Sequence, residues 1–452
     1  MSRLFPLSAV FVAGALTACG GAPAAGPPPA PDAFLAPVEG EASPARWWVA
    51  FGEADLTARV EASLAGSPTL HAARARIAQA RATARRAGAD GGLSAEAELG
   101  AIARAPTDGG ARALSFPAGI SARYELDLFG RIDAVVEAAT LDADASAAAF
   151  DAAGQTLAGQ VASAWFQLAE RQAQRAILAD QTALNARVLG LVEERFRFGK
   201  AGAQDVLRQR QLVESAVGDG ARLDAEIRVL GHRLAVLAGA PPAAPPALAP
   251  TWTLPPLPAT GVPAALIQRR PDVRAAWLRV RAADQRVAGA LAERFPRLSF
   301  SASLSSGHVP LAVDNWLAQL AGNLVAPLLD GGRREAEVDR TRAAVQEALA
   351  TYRLAVLEAL SEVEDALARA THQVELLASL DRQLELATGA AERARDRYAA
   401  GAASYVDVLD AVRTLQALER ARLSARRELF QHRIDLYRAL AGDLPAAEGS
   451  PP

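Results

Sequence analysis

Arg195-Phe196-Arg197-Phe198-Gly199 returns 202 positions later as Arg397-Tyr398-Ala399-Ala400-Gly401. Asp205-Val206-Leu207 and Asp407-Val408-Leu409 keep that offset without a gap. Leu128-Phe129-Gly130-Arg131 keeps it too, against Asp330-Gly331-Gly332-Arg333. The 452-residue chain is therefore two copies of one unit.

Each unit contains a very long helix. No proline occurs between Pro117 and Pro241 or between Pro327 and Pro445, and proline is what most reliably breaks a helix interior. Apolar residues recur at helical spacing in the first stretch: Val161, Trp165, Leu168, then Ile177, Leu184, Val188 and Leu191, with Gln172 in the same series. In the second, Val338, Val345, Leu349, Val356, Leu360, Val363 and Leu367 do the same. Residues 333 to 398 as one helix would be roughly 100 Å long at 1.5 Å per residue. Such a helix must pack along its length, as in a coiled coil. Gly199-Lys200-Ala201-Gly202 and Gly401-Ala402-Ala403-Ser404 end the long helices with glycine turns. Shorter helices then return over about 205–238 and 405–441. Pro68 and Pro271 open further helices over about 69–88 and 272–293. Ala240 to Pro263, with nine prolines, reads as a linker without regular structure.

Between the helices the period falls from 3.6 to 2. Ile120, Ala122, Tyr124, Leu126 and Leu128 alternate with Ser121, Arg123, Glu125 and Asp127. Leu298, Phe300, Ala302 and Leu304 alternate with serines, and Leu93, Ala95, Ala97 and Leu99 with Ser94, Glu96, Glu98 and Gly100. Residues 315–326 alternate less cleanly. These are four strands with one apolar and one polar face, each near the length that crosses an outer membrane when tilted. A soluble sheet over a helix layer and a membrane barrel both fit. In the barrel, Arg123, Glu125 and Asp127 would face the lumen. An open sheet cannot stand in lipid, and four strands are fewer than single-chain barrels use. The barrel would then be shared between copies; three copies, for example, would give twelve strands.

Arg3, the apolar run Leu4 to Leu16 and Leu16-Thr17-Ala18-Cys19-Gly20 read as a secretory signal. Cys19, the sole cysteine, stands where a bacterial lipobox would have it. Two readings follow, a lipoprotein cleaved before Cys19 or a plain signal peptide. With no other cysteine there is no disulfide and no thiolate metal site. A net charge of −3 argues against nucleic acid as a partner. The five histidines fall in separate elements, and there is no phosphate loop or pairable nucleophile and base, so neither an enzyme nor a cofactor is expected.

Three phrases carry a resemblance to a known family. They are Leu126-Asp127-Leu128-Phe129-Gly130-Arg131, Ile267-Gln268-Arg269-Arg270-Pro271-Asp272-Val273-Arg274-Ala275-Ala276 and Pro327-Leu328-Leu329-Asp330-Gly331-Gly332-Arg333. From Trp47-Trp48 to about Gly442 the chain resembles the outer-membrane efflux family of TolC/OprM-like exit ducts. The fold class this implies is α+β, mostly α: a trimeric outer-membrane β-barrel with four strands per chain, continued by a long periplasmic α-helical barrel and built from two internal repeats. It implies a passive exit duct that takes solutes from a periplasmic adaptor (membrane fusion protein) and an inner-membrane RND-type pump. It implies lipid on Cys19 and a place in the outer membrane. It makes Asp407, Asp410 and Tyr398 a periplasmic gate, with Gly199, Gly202, Asp205, Gly401 and Ser404 at adaptor-contacting tips. Spacing i, i+3 puts Asp407 and Asp410 on one helix face, so three chains would aim six carboxylates at one axis. A solvated helix start is the plainer reading of the same pair. Ala402 and Ala403 stand where some relatives carry a basic latch. The segments expected are a signal over 1–18, a lipidated tether over 19–45, repeats over 46–239 and 264–442, the linker over 240–263, and a disordered tail over 443–452. A type I secretion duct and a lipid-anchored coiled-coil scaffold remain as alternatives.

Overall fold

Residues 31–105, 107, 113–306 and 316–444 are described by a computed structural model. After a short turn of 3-10 helix at Trp47–Phe51 come α1 (Ala54–Gly66), α2 (Pro68–Ala89), β1 (Ser94–Leu99), β2 (Ile102–Arg104), β3 (Ala113–Ser115) and β4 (Ala118–Leu126). The first hairpin is α3 (Arg131–Arg197) with α4 (Ala203–Leu237). The second copy repeats the plan with α5 (Pro263–Arg269), α6 (Pro271–Ala292), β5 (Arg297–Ser306), β6 (Trp316–Val325), α7 (Arg333–Ala399) and α8 (Tyr405–Leu440). Helices α3 and α7 are each 67 residues long and start 202 positions apart, as the repeat requires. No helix among the described residues is long and apolar enough to cross a membrane.

The antiparallel sheet runs β1-β4-β5-β6, and the helices beneath it follow the same order. Helix α2 leads into β1, β4 into α3, α6 into β5 and β6 into α7, while α2 packs on α3, α3 on α6 and α6 on α7. One layer of wall therefore continues from strand to helix. The register sorts side chains by face: Ile120, Ala122, Tyr124 and Leu126 lie opposite Leu304, Ala302, Phe300 and Leu298. Ser121, Arg123 and Glu125 lie opposite Ser303, Ser301 and Ser299. The short β2–β3 pair was not expected. It prolongs the β1–β4 ladder past a break where Gly100 N–H reaches the Pro117 carbonyl at 2.8 Å.

Further down, α4 packs on α3, and α8 packs on both α7 and α3. The end of α4 abuts the start of α2, where Gly239 has φ +78° and any side chain would collide with the Gly66 carbonyl. The end of α8 meets the α5–α6 junction in the same way, with Arg270 Nη1 donating to the Ala439 carbonyl at 3.3 Å. Two shorter helices laid end to end thus accompany each long one.

The largest core sits at this mid-level. Trp47, Trp48 and Phe51 bury against Trp165, Phe166, Phe430 and Tyr437, with Phe166 and Phe430 ring centroids 4.7 Å apart. Each such side chain contributes about 1.5–3 kcal/mol by burial. The proline-rich segment has no helix or strand, as expected, yet it is an ordered strap. Prolines lack N–H donors but keep their carbonyls, and the helices supply the donors. Gln172 reaches the Pro246 carbonyl at 2.7 Å, Arg426 the Trp252 carbonyl at 2.9 Å, Tyr437 the Pro256 carbonyl at 3.2 Å, and Arg433 the Pro255 carbonyl.

Three expectations need correction. The tether drawn over 19–45 is docked from Phe34, which is buried with Leu266, Val363 and Leu436, while Leu35 N–H bonds the Glu364 carboxylate at 2.7 Å. Leu444, drawn in the tail, packs on the aromatic core, and Asp443 pairs with Arg274 at 2.8 Å. Cys19, the signal segment and residues 445–452 lie outside the described residues. Along α3 the expected apolar stripe holds at Val161, Trp165 and Leu168, which are buried, but not at Leu191, which is 62% exposed. The buried stripe below the core is Glu170, Gln174, Leu178, Gln181, Asn185 and Val192. It is mostly polar, so a search for apolar periodicity passes over it.

Candidate functional site at the hairpin tips

Both tips are built by the same backbone device. At the first, Gly199 takes φ +68°, Lys200 N–H bonds the Arg195 carbonyl at 2.8 Å and Gly199 N–H the Phe196 carbonyl at 2.9 Å. At the second, Gly401 takes φ +77°, Ala402 N–H bonds the Arg397 carbonyl at 2.8 Å and Gly401 N–H the Tyr398 carbonyl at 3.0 Å. This is the Schellman ending, which needs glycine because its residue is left-handed. The return helices start at acids three residues past the cap. Ser404 N–H and Oγ–H both donate to Asp407 Oδ2 at 2.9 Å, and Asp407 N–H donates back to Ser404 Oγ at 3.3 Å. The first tip keeps half of this box, Gly202 N–H to Asp205 Oδ2 at 3.2 Å.

The two aspartates therefore differ. The hydroxyl and amide of Ser404 hold the exposed Asp407 carboxyl below its ordinary range. Asp410 lies one turn on, exposed, and no side-chain partner engages its carboxylate among the described residues. Tyr398 points into the protein. It packs with Val192, Val206, Tyr405 and Leu409, and the Arg195 guanidinium lies over its ring at 4.3 Å. Burial raises its phenol, and raises that of Tyr405 to about 12, so both stay protonated. Tyr405 then donates to Gln209, which donates to the Asn185 carbonyl at 2.6 Å. Arg195 was missed in the sequence; the matching Arg-x-x-x-Gly phrase of the two tips was the available signal.

Above the tips, the seam where α3 meets α8 is polar. Glu170, 1% exposed, accepts from Gln174 at 2.8 Å and Ser424 at 2.7 Å, with Arg427 3.3 Å away. Asn185 and Gln416 exchange amide hydrogen bonds of 3.5 and 3.3 Å, and Arg420 reaches Gln181 at 2.8 Å. A cleft of about 440 Å³ opens along the seam between Asp180, Arg187, Arg395 and Glu419. Within the first hairpin α3 meets α4 through Leu178, Ala216 and Leu223, and at its margins through the pairs Arg171–Glu226, Arg175–Asp224 and Arg210–Glu193. Polar partners can be handed to water at small net cost, whereas apolar ones cannot. The stretch of the α3–α8 seam from Glu170 to Asn185 is thus one whose contacts can pass to water.

The three residues expected in the lumen separate. Arg123 stays on the polar face of β4. Glu125 is paired with Arg131 at 2.8 Å. Asp127 lies beyond the strand, and its carboxylate accepts from the N–H groups of Arg131, Ile132 and Asp133 at 2.8 to 2.9 Å. It is committed to the start of α3, where the helix dipole favours an anion. Asp330 does the same for α7, accepting from Gly332 N–H at 3.2 Å and pairing with Arg334 at 2.8 Å. Among the described residues no group of acids and histidines stands close enough to hold a metal ion.

This fold recurs in known proteins. The family model described as outer membrane efflux protein matches residues 60–240 and again 262–442. The pyoverdine export outer membrane protein OpmQ of Pseudomonas aeruginosa is 36% identical, over 98% of this chain and 97% of its own. Nodulation protein T of Rhizobium leguminosarum bv. viciae is 27% identical over 99% and 95%. A solved structure of CusC superposes with TM-score 0.84 at 25% identity, covering 94% of this chain and 100% of that one. The outer-membrane channel OprN gives 0.81 at 28%, covering 92% and 98%. With both repeats matched and relatives aligned end to end, the chain is an outer-membrane efflux channel and belongs to the outer membrane efflux protein family.

Proposed function

We propose that three copies close a twelve-stranded barrel in the outer membrane and a helical barrel beneath it. The duct receives solutes from a periplasmic adaptor and an RND-type inner-membrane pump. The observation that carries this is the four-stranded sheet whose two edges, β1 and β6, have no outer strand partner among the described residues while one face is apolar. Backbone groups in lipid must all be paired, so the edges of one copy need those of the next.

The duct makes and breaks no bonds. Its periplasmic end is gated by the second hairpin, with Asp407 and Asp410 bringing carboxylates to the axis and Tyr398 holding the tips together through Arg195. Gly199, Gly202, Asp205, Gly401 and Ser404 form the surface offered to the adaptor. Opening proceeds by parting of the polar α3–α8 seam. Relatives of this one architecture are named for pyoverdine, cations and solvents, which supports a pump that chooses the cargo. Relatives named for export and efflux also favour this reading over a scaffold.

The native mass of protein extracted from outer membranes in detergent tests the assembly. A trimer that conducts in planar bilayers is expected. A stable monomer or dimer would remove the shared barrel. Lipid on Cys19 is a separate part of the proposal. Cys19→Ala is expected to abolish incorporation of labelled fatty acid, and persisting label would show that Cys19 is not the acceptor.

A further inference from the structure

The sheet register fixes which polar residues share a level of the wall, and the charged ones fall in a definite sequence. Strand β4 enters α3 at its Leu126 end, so levels count outward from there. Glu125 lies opposite Ser299, then Arg123 opposite Ser94 and Ser301, then Glu96 opposite Ser121, then Glu98 opposite Gly119. Successive levels are two residues, or about 7 Å, apart along the strand. Arg131 neutralises Glu125. Arg123, Glu96 and Glu98 have no ion-pair partner among the described residues and are exposed. From Glu125 outward the wall thus reads neutral, positive, negative, negative, and then positive again at Arg104, which keeps the same register and face on β2 opposite Ala113, about 20 Å beyond Glu98. Between these charges it carries the short hydroxyls of Ser121, Ser299, Ser301 and Ser303, which leave room for a hydrated solute.

We propose that the barrel is a second charge filter, separate from the hairpin tips. Its Glu96 and Glu98 levels favour small cationic and zwitterionic solutes over anions, with Arg123 as the opposing step beneath them. This rests on the reading of a shared barrel whose polar face is the lumen. Three copies turn each level into a ring, and a ring of like charge at a low-dielectric wall raises the local concentration of the opposite ion. The tips lie a whole long helix away, roughly 100 Å at 1.5 Å per residue. That is about ten screening lengths at 0.1 M salt, so the two filters act independently.

The experiment uses full-length trimers in planar bilayers under a KCl gradient, with Asp407→Ala/Asp410→Ala as background so that the tips contribute no selectivity. That background is expected to keep a preference for K⁺ over Cl⁻. Adding Glu96→Gln/Glu98→Gln is expected to lower the permeability ratio at least about twofold, and adding Arg123→Gln to raise it, since the first removes two acidic rings and the second one basic ring. A trimer mass in detergent shows that each variant still assembles. An unselective background, or a ratio that neither substitution moves, would overturn the barrel filter. Absence of any conductance in the unaltered protein would instead overturn the duct.

Discussion

Replacing Asn185 and Gln416 together by leucine is expected to hold the tip shut and to lower open probability about a hundredfold. The two amides face each other in the buried seam between α3 and α8 and satisfy one another there. Removing both partners of a buried polar pair costs little, because neither is left unmatched. The closed state is therefore kept or strengthened. The open state is penalised, since parting the seam now puts two leucines into water at about 1.5–3 kcal/mol each. A difference of about 3 kcal/mol corresponds to roughly two powers of ten in an equilibrium constant. Single-channel recording reads the effect directly, and thermal unfolding should show unchanged or raised stability. Ordinary opening in a trimer that still assembles would mean that this seam is not where the hairpins separate.

Asp407→Ala and Asp410→Ala should behave differently although the two carboxylates lie on one helix face. Asp407 is half of a capping box, and losing it frees the amide and hydroxyl of Ser404 and unpins the start of α8. Asp407→Ala should therefore fray the tip and raise closed-state leak by severalfold. Asp410 takes no part in the cap, so Asp410→Ala should leave the leak unchanged and reduce cation preference at the entrance. Leak and reversal potential are measured on the same membranes, and identical behaviour of the two variants would refute the division of labour. Acid should imitate the first variant only in strong form. The folded-state carboxyl of Asp407 is held below its ordinary range by Ser404. Its contribution is complete above that range and is lost as pH falls through the depressed value, so mild acidification leaves the cap intact.

Much of this was readable without coordinates, for identifiable reasons. The repeat offset placed both long helices because the glycine turns and the proline-free stretches bracket them on each side. The strands were readable because Ile120 to Leu128 and Leu298 to Leu304 alternate strictly. The side of Arg123 followed from that alternation. The fate of Asp127 did not, because a capping acid and a lumen acid occupy the same parity at the last step of a strand. The strap was read as a loose linker because its attachments run from its carbonyls to Gln172, Arg426, Arg433 and Tyr437, donors far away in sequence. The α3–α8 seam stayed hidden because it is built of Glu170, Gln174, Gln181 and Asn185, and a search keyed to apolar spacing treats these as solvent-facing. Arg195 and Tyr398, 203 residues apart, meet only once both hairpins have formed.

The order β1-β4-β5-β6 bears on how the molecule is made. Its central ladder pairs Ala118–Leu126 with Arg297–Ser306, so the entire first hairpin must be synthesised and folded back before β4 finds its neighbour. Distant pairings form slowly, because the entropy of closing the intervening loop is lost before any contact repays it. Until then the strands display apolar faces and open edges, and even a finished chain still lacks partners for β1 and β6. Newly secreted copies therefore pass through a stage at which aggregation competes with assembly, so the yield of channels depends on their concentration and on whatever shields those edges in transit.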